Sequence, residues 1–213
     1  MGLHKVLEMT FLKRHAYRLR VERGSIEFKA GQCVTVGVPG AGVSREYTVY
    51  SGEKEPWIDL LILEAENGIV SAGLKTLRPG GSADLHGAYG GFRLRETNAG
   101  RPHLFVGTGT GIAPFHSFVR TRPALDYKIL HGVRYADEAY DRGDYDGARF
   151  VSCVSREEGG DFRGRVTDHL RAHPPAKETV CYLCGNRSMI VDAYDVLRAQ
   201  GIPGDAIFTE VFF

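Results

Sequence analysis

No apolar run in the sequence approaches the ~18–20 residues that a helix needs to cross a bilayer, and its first ten residues lack the apolar core of a secretory signal. A cytoplasmic protein is the expectation. There is no excess of charge of either sign: 27 Lys and Arg against 26 Asp and Glu leave a formal net charge of +1. That balance argues against a general nucleic-acid binder, which needs concentrated cations to neutralise phosphates. Cysteine is scarce. Cys33, Cys153, Cys181 and Cys184 make no disulfide framework, and no second ligand pair accompanies Cys181-x-x-Cys184 to complete a metal or iron–sulfur site. Val180 to Leu183 reads as a strand, on which positions three apart point to opposite faces, so the two thiols are not expected to pair. Internal repeats and low-complexity tracts are absent as well.

What is present suits a globular chain. Its 213 residues, 43% hydrophobic and 25% charged, suffice for one large domain or two small ones with a real core. The first half reads as antiparallel β. Leu3 to Phe11, Tyr17 to Glu22, Cys33 to Val38, Arg45 to Ser51, Trp57 to Leu63 and Ala83 to Gly87 carry β-formers between Gly/Pro turns, with a brief helix at Ser71 to Leu77. Short strands at this spacing predict a small barrel or sandwich. A polar, glycine-bearing stretch from Gly90 to Gly100 follows, and then the pattern changes. Strands at 103–107, 127–133, 149–154, 180–184 and 206–211 alternate with helices at 112–121, 136–142, 165–172 and 187–199. That alternation predicts βαβ crossovers and a doubly wound parallel sheet, hence an all-β domain followed by an α/β domain.

The second half opens on Gly107-Thr108-Gly109-Thr110-Gly111-Ile112-Ala113-Pro114-Phe115. A strand, a glycine-rich turn and a helix in succession present free backbone N–H groups to a phosphate. Three stretches of the first half invite similar readings. In Arg45-Glu46-Tyr47-Thr48, Arg45 and Tyr47 share one strand face and Thr48 lies on the other. Arginine suits a diphosphate, tyrosine a flat ring, and a hydroxyl a ring nitrogen. Gly68-Ile69-Val70-Ser71 opens the short helix, with Ser71 as cap or first-turn donor. Gly87-Ala88-Tyr89-Gly90-Gly91-Phe92 is an aromatic-bearing exit from the last strand.

Taken together, these stretches resemble the ferredoxin–NADP⁺ reductase superfamily over nearly the whole chain. Arg45-x-Tyr47-Thr48 is similar to that family's flavin motif, Gly68-x-x-Ser71 to its flavin-phosphate loop, and Gly107 to Phe115 to its nicotinamide-nucleotide loop. Cys184-Gly185-Asn186 with Met189, and the ending Glu210-Val211-Phe212-Phe213, resemble its later signatures. The resemblance implies a flavin-binding β-barrel over residues 1–98 and an NADP(H)-binding α/β domain over 99–213. FAD is the flavin it implies, with FMN as the alternative. By similarity Tyr47 stacks on the flavin, Thr48 approaches its N5 edge, Arg45 holds phosphate, and Gly68, Ile69, Val70 and Ser71 take up remaining charge. Gly107, Thr108, Gly109, Thr110 and Gly111 receive the nucleotide diphosphate, and Cys184 and Glu210 lie beside the reacting rings. Phe212, or Phe213 if the register shifts by one, covers the flavin.

An NAD site commonly places an acidic residue at the end of the second strand. Here that strand ends His131-Gly132-Val133-Arg134 without one, and the third ends Ser155-Arg156, with Arg165 following. By resemblance Arg134, Arg156 and Arg165 grip a 2′-phosphate, with Ser155 as a hydroxyl donor, and NADPH is the expected donor. Thr167 stands where plant-type relatives have a stacking tyrosine, and Arg165-Val166-Thr167-Asp168 also resembles NADH-using members. The expected activity is hydride exchange between nicotinamide and flavin by a monomer, with ferredoxin or flavodoxin as electron partner. Lys13, Arg14, Arg18, Arg20 and Arg23 are a candidate steering patch for such an acidic protein. The alternatives are a reductase component serving an oxygenase and a non-catalytic nucleotide-binding or electron-transfer subunit.

Overall fold

Alternation in β1 (Gly2–Phe11) and β2 (Ala16–Glu22) builds the first unit. Tyr17, Leu19 and Val21 point inward and are fully buried, while Arg18 and Arg20 take the other face. β3 (Cys33–Gly37), β4 (Ser44–Thr48), β5 (Trp57–Leu63) and β6 (Ser82–Tyr89) complete an antiparallel sheet in the order β4-β3-β6-β1-β2-β5. Its two edges meet: just past β4, Val49 bridges Leu60 and Tyr50 N donates to Asp59 O of β5 at 2.7 Å. The sheet thereby closes as a barrel, which removes its exposed edges. The computed structural model describes residues 2–98 and 100–212. Met1–Leu94 groups with His116–Thr121, and Arg95–Phe115 with Arg122–Phe213.

The barrel core is Val6, Tyr17, Leu19, Val21, Val34, Val36, Ile58, Leu60, Ile62 and Leu85, with Val70 and Leu74 of the short helix α1 (Ile69–Lys75) against them. Outside it, the expected basic patch is partly neutralised, since Arg18 and Arg20 are paired with carboxylates while Lys13 and Arg14 are exposed. Arg20 makes a two-pronged pair with Asp59 (2.7 and 2.9 Å) and lies over Trp57, and Arg18 and Arg20 both reach Glu8. Arg23 donates to the carbonyls of Ile26, Glu53 and Glu55. These arginines hold strands and turns together, and the carboxylates paired with Arg18 and Arg20 offset their charge, while Arg23, bonded to neutral carbonyls, keeps its own. Also in this unit, His116 stacks on Tyr50 with ring centroids 3.7 Å apart and donates to its carbonyl, and Ser117 donates to Ser51 O.

The second unit is a six-stranded parallel sheet of β7 (His103–Thr108), β8 (Tyr127–Val133), β9 (Phe150–Val154), β10 (Phe162–Arg163), β11 (Val180–Gly185) and β12 (Ile207–Val211), ordered β10-β9-β8-β7-β11-β12. α2 (Ala113–Thr121) begins on one face, where Phe115 stacks on Phe105 at 5.0 Å. α3 (Val166–Ala172) and α4 (Arg187–Ala199) pack Val166, Leu170, Ile190, Ala193 and Leu197 on the other, against Leu104, Val106, Leu130 and Leu183. Helices on both faces of a parallel sheet make the doubly wound arrangement. No helix among the described residues is long and apolar enough to cross a membrane.

Two local differences from the expected elements have clear causes. The helix expected at 136–142 is two single turns, Ala136–Glu138 and Arg142–Asp144, because Asp141 between them is left-handed with φ +48°. β10, too short to show periodicity, exists because Asp161 beside it is tied down. Arg142 clasps its carboxylate from one side (2.5 and 2.8 Å), and the N–H and hydroxyl of Ser152 reach it from the other (2.8 Å each). The Arg142 guanidinium first of all holds the Asp161 carboxyl well below the usual carboxylate range. A depressed carboxyl stabilises the fold above its unfolded pKa of about 4, and that contribution is lost as the pH falls below it. Asp161→Asn is expected to cost about 1–2 kcal/mol near neutrality, allowing for solvent screening, and to flatten the acid limb of a stability–pH profile. Urea melts of both proteins across that range check this; an unchanged acid limb would contradict it.

Candidate functional site

In the barrel, the register sets Arg45 opposite Val36, Tyr47 opposite Val34 and Thr48 opposite Cys33. Opposed residues of antiparallel strands share a face, so Arg45 and Tyr47 lie on the core side and Thr48 on the other. Tyr47 is half-buried against the core, and burial raises its phenol pKa. The exposed Arg45 guanidinium donates to Ser44 O and makes no ion pair among the described residues. Thr48 is buried, its hydroxyl 3.5 Å from Cys33 Sγ.

Gly68 is the N-cap of α1 and Ser71 its third residue. The Ser71 hydroxyl is taken up by the turn itself, donating to Gly68 O (3.3 Å) and accepting from Ala65 N (3.1 Å). Ser71 is therefore neither the cap nor an outward donor. The helix ladder starts at Ala72 N to Gly68 O, which leaves the N–H groups of Ile69, Val70 and Ser71 ahead of it. Tyr17 is a residue sequence reasoning passed over. Its hydroxyl donates to Ser71 O at 2.6 Å, and its ring belongs to the core cluster against which Tyr47 packs. It thereby connects the two stretches, and only its strand alternation hinted at its inward position. Tyr89 hydrogen-bonds Thr35 near Glu46.

In the parallel unit, the glycine-rich stretch forms a single turn, Gly109–Ile112, running into α2, with Pro114 in the first helical turn where its missing N–H costs nothing. Gly111 packs against the end of β11. A Cβ there would lie 2.5 Å from Cys184 O and 2.7 Å from Gly185 Cα. Gly185 has φ +125°, and a Cβ on it would run into Thr108. Thr108 Oγ1 accepts from Asn186 N at 3.1 Å, and Asn186 caps α4 through Ser188 N. In register, Cys184 is flanked by Gly107 on β7 and Glu210 on β12. Phe212 N donates to Gly185 O at 2.9 Å, and its ring is half-buried. Phe213 lies outside the described residues. Cys184 is fully buried, and Met189 packs against the hydrophobic core. Burial pushes the Cys181 thiol up to about 12, and both cysteines are free thiols.

Arg134, Ser155, Arg156 and Arg165 are all exposed at one end of the sheet. Ser155 N donates to Val133 O and Arg156 N to Arg134 O, which ties the ends of β8 and β9 together. None of the three arginines is in an ion pair among the described residues. The Ser155 hydroxyl donates to Val133 O at 3.1 Å, so its proton is engaged within the turn. The turn after β8 also holds a carboxylate that the linear spacing concealed: Glu138 folds back to accept from Arg134 N (2.8 Å) and Tyr135 N (3.0 Å). Glu157 accepts from Ala136 N and Asp168 from Arg165 N. Thr167 is buried and offers no stacking surface.

Each unit matches a known family. Residues 10–94 match the oxidoreductase FAD-binding domain family, and residues 105–195 the oxidoreductase NAD-binding domain family. A ferredoxin–NADP reductase B of Sorangium cellulosum is 33% identical, over 90% of this chain and 88% of that protein. The reductase component of a propane 2-monooxygenase of Mycolicibacterium smegmatis is 30% identical over 90% of this chain, which spans 61% of that relative's length. Among solved structures, the Amycolatopsis cytochrome P450 reductase GcoB superposes with a TM-score of 0.88 at 27% identity, over 99% of this chain and 70% of that one. A Neisseria gonorrhoeae ferredoxin NADP⁺ reductase with bound FAD and NADP has the same fold, with a TM-score of 0.87 at 24% identity, over 100% of this chain and 98% of that one. With an FAD-binding barrel and an NAD-binding parallel sheet in this order, and a relative matched along nearly all of both sequences, the chain belongs to the ferredoxin–NADP⁺ reductase superfamily of flavin-dependent oxidoreductases.

Proposed function

We propose that the protein takes electrons from NADPH through FAD and delivers them to a small one-electron carrier, ferredoxin or flavodoxin. The observation that carries the nucleotide half is the combination, within one unit, of a glycine cradle closed on β11 and three exposed arginines without carboxylate partners. The acceptor half is supported by the 33% identical ferredoxin–NADP reductase, matched over 88% of its length. The residues fit both groups. Arg45 offers a flavin phosphate an exposed guanidinium whose hydrogen bond is to Ser44 O rather than to a carboxylate, Tyr47 offers a ring face, Thr48 a hydroxyl, and Ile69 and Val70 the N–H groups ahead of the helix ladder. FMN would use the same stations.

The bound flavin supplies the redox chemistry, accepting hydride and releasing single electrons, while the protein binds, orients and excludes water. In the nucleotide unit, Gly107 to Gly111 give the diphosphate a backbone surface with no Cβ in the way. Arg134, Arg156 and Arg165 give a 2′-phosphate charge-assisted donors, whereas the Ser155 hydroxyl, expected as a further donor, gives its proton to Val133 O. Cys184 and Gly185 support Gly111 from beneath, and Asn186 anchors Thr108 through its N–H. Glu210 brings a carboxylate to the end of the sheet beside Cys184, where it sets the local charge, and Phe212 supplies an aromatic ring.

A second reading, a reductase component serving an oxygenase, is favoured by the monooxygenase and demethylase reductases among the relatives. Purified protein is expected to be yellow, to reduce ferricyanide with NADPH, and to reduce cytochrome c only when ferredoxin or flavodoxin is added. Ferricyanide turnover with neither carrier accepted, but with an oxygenase partner reduced, would move the acceptor to the second reading. Colourless protein that no flavin reconstitutes, or yellow protein without ferricyanide turnover, would overturn both.

A further inference from the structure

His131 on β8 is fully buried, opposite Gly107 in register, yet the turn beside it is where the nucleotide diphosphate is placed above. Its Nε2 lies 2.8 Å from Gly109 O, while Nδ1 is buried with no hydrogen-bond partner. Facing a carbonyl, Nε2 must carry the proton, so Nδ1 is a bare lone pair. The ring is held edge-on to Phe150 at 6.0 Å and near Tyr140 at 6.3 Å, which leaves it little freedom to turn. A buried imidazole with one nitrogen unsatisfied is an unfavourable way to fill apolar space. Something must require the other nitrogen.

We propose that His131 is a positioning residue for the nucleotide: its Nε2–H holds the Gly109 carbonyl inward, so that the Thr110 N–H on the same peptide faces the diphosphate. In a trans peptide the C=O and N–H point in opposite directions, so fixing one aims the other. Released, the carbonyl could turn outward and present its lone pairs to the diphosphate. Burial independently keeps the ring neutral, pushing its pKa down to about 4. The inference rests on the reading of Gly107 to Gly111 as the diphosphate loop and assigns a residue that no loop motif includes.

The test compares NADP⁺ with 2′-AMP, which has the 2′-phosphate but no diphosphate, by calorimetric titration of the flavin-loaded protein. His131→Phe keeps a ring and removes the donor; His131→Gln keeps an N–H near the Nε2 position. The Phe variant is expected to bind NADP⁺ about tenfold more weakly, equivalent to ~1.4 kcal/mol. Its 2′-AMP affinity should stay within about twofold, and the Gln variant should recover most of the NADP⁺ affinity. NADP⁺ binding unchanged in the Phe variant, or both ligands weakened alike, would overturn the role. Should that variant not fold, ¹⁵N NMR of the wild-type ring decides: a protonated Nε2 that shifts with NADP⁺ but not with 2′-AMP supports the role, and a ring unmoved by NADP⁺ removes it. Wild-type protein that binds neither ligand would overturn the nucleotide reading first, and this role with it.

Discussion

Gly111→Ala is expected to lower kcat/KM for NADPH by about a hundredfold while leaving the flavin bound. The added Cβ would meet Cys184 O at 2.5 Å and Gly185 Cα at 2.7 Å, and both are backbone atoms that cannot rotate aside. Either the turn or the end of β11 must then move by a large fraction of an ångström. Overpacking of this kind costs about 1–3 kcal/mol of stability. The larger effect falls on turnover, because a displacement near 1 Å in a positioning element can cost ~10²-fold. Gly109→Ala is the comparison that removes the clash with β11 while keeping a glycine-to-alanine change in the same turn. Nothing lies within 4 Å of its Cβ, although φ there is +54°, so it carries no clash with β11; its costs are the strain of a left-handed alanine, about 1–2 kcal/mol, and a methyl group on the surface proposed for the diphosphate. Steady-state ferricyanide reduction, with the visible flavin spectrum and melting temperature of each variant, separates these effects. A Gly111→Ala enzyme within threefold of wild type would show that the close approach to β11 is not needed for the nucleotide.

Coenzyme preference supplies the second large effect. Arg134→Ala combined with Arg156→Ala is expected to lower kcat/KM for NADPH by roughly a hundredfold or more and to change that for NADH by less than about threefold. Two charge-assisted hydrogen bonds at ~1.5–3 kcal/mol each account for this size. The two arginines sit side by side because Arg156 N donates to Arg134 O, and neither gives up an internal ion pair when truncated. Loss should therefore be confined to the 2′-phosphate. The nearby carboxylates of Glu138 and Glu157 stay bound to backbone N–H groups in the variant and hold the turn in shape. Wild-type protein with equal kcat/KM for both coenzymes would refute the assignment of these arginines, as would a double variant that loses NADH turnover equally.

The oxygenase-type relatives extend beyond the portion matched here, this chain spanning 61% of the propane monooxygenase reductase. Turnover with candidate carriers is therefore the measurement that decides the acceptor.

Much of the architecture was legible along the chain. Period-2 alternation in Ala16–Glu22 and the change to alternating strands and helices after Gly100 are local consequences of backbone geometry. So is the strand, turn and helix around Gly107 to Phe115, because glycines and a first-turn proline constrain the backbone wherever they occur. Partners across the fold were not legible. Spacing placed Arg18, Arg20 and Arg23 in one basic run, whereas register set Arg20 against Asp59, 39 residues away. Tyr17 reaches Ser71 across 54 residues, and His131 reaches Gly109 across 22. Glu138, past the turn in the linear sequence, folds back into it once Asp141 breaks the helix. Periodicity and turn chemistry act between neighbours in sequence, so composition and order suffice to read them. Which carbonyl a buried imidazole or arginine meets depends on how strands align, and that alignment exists only once the sheets have closed.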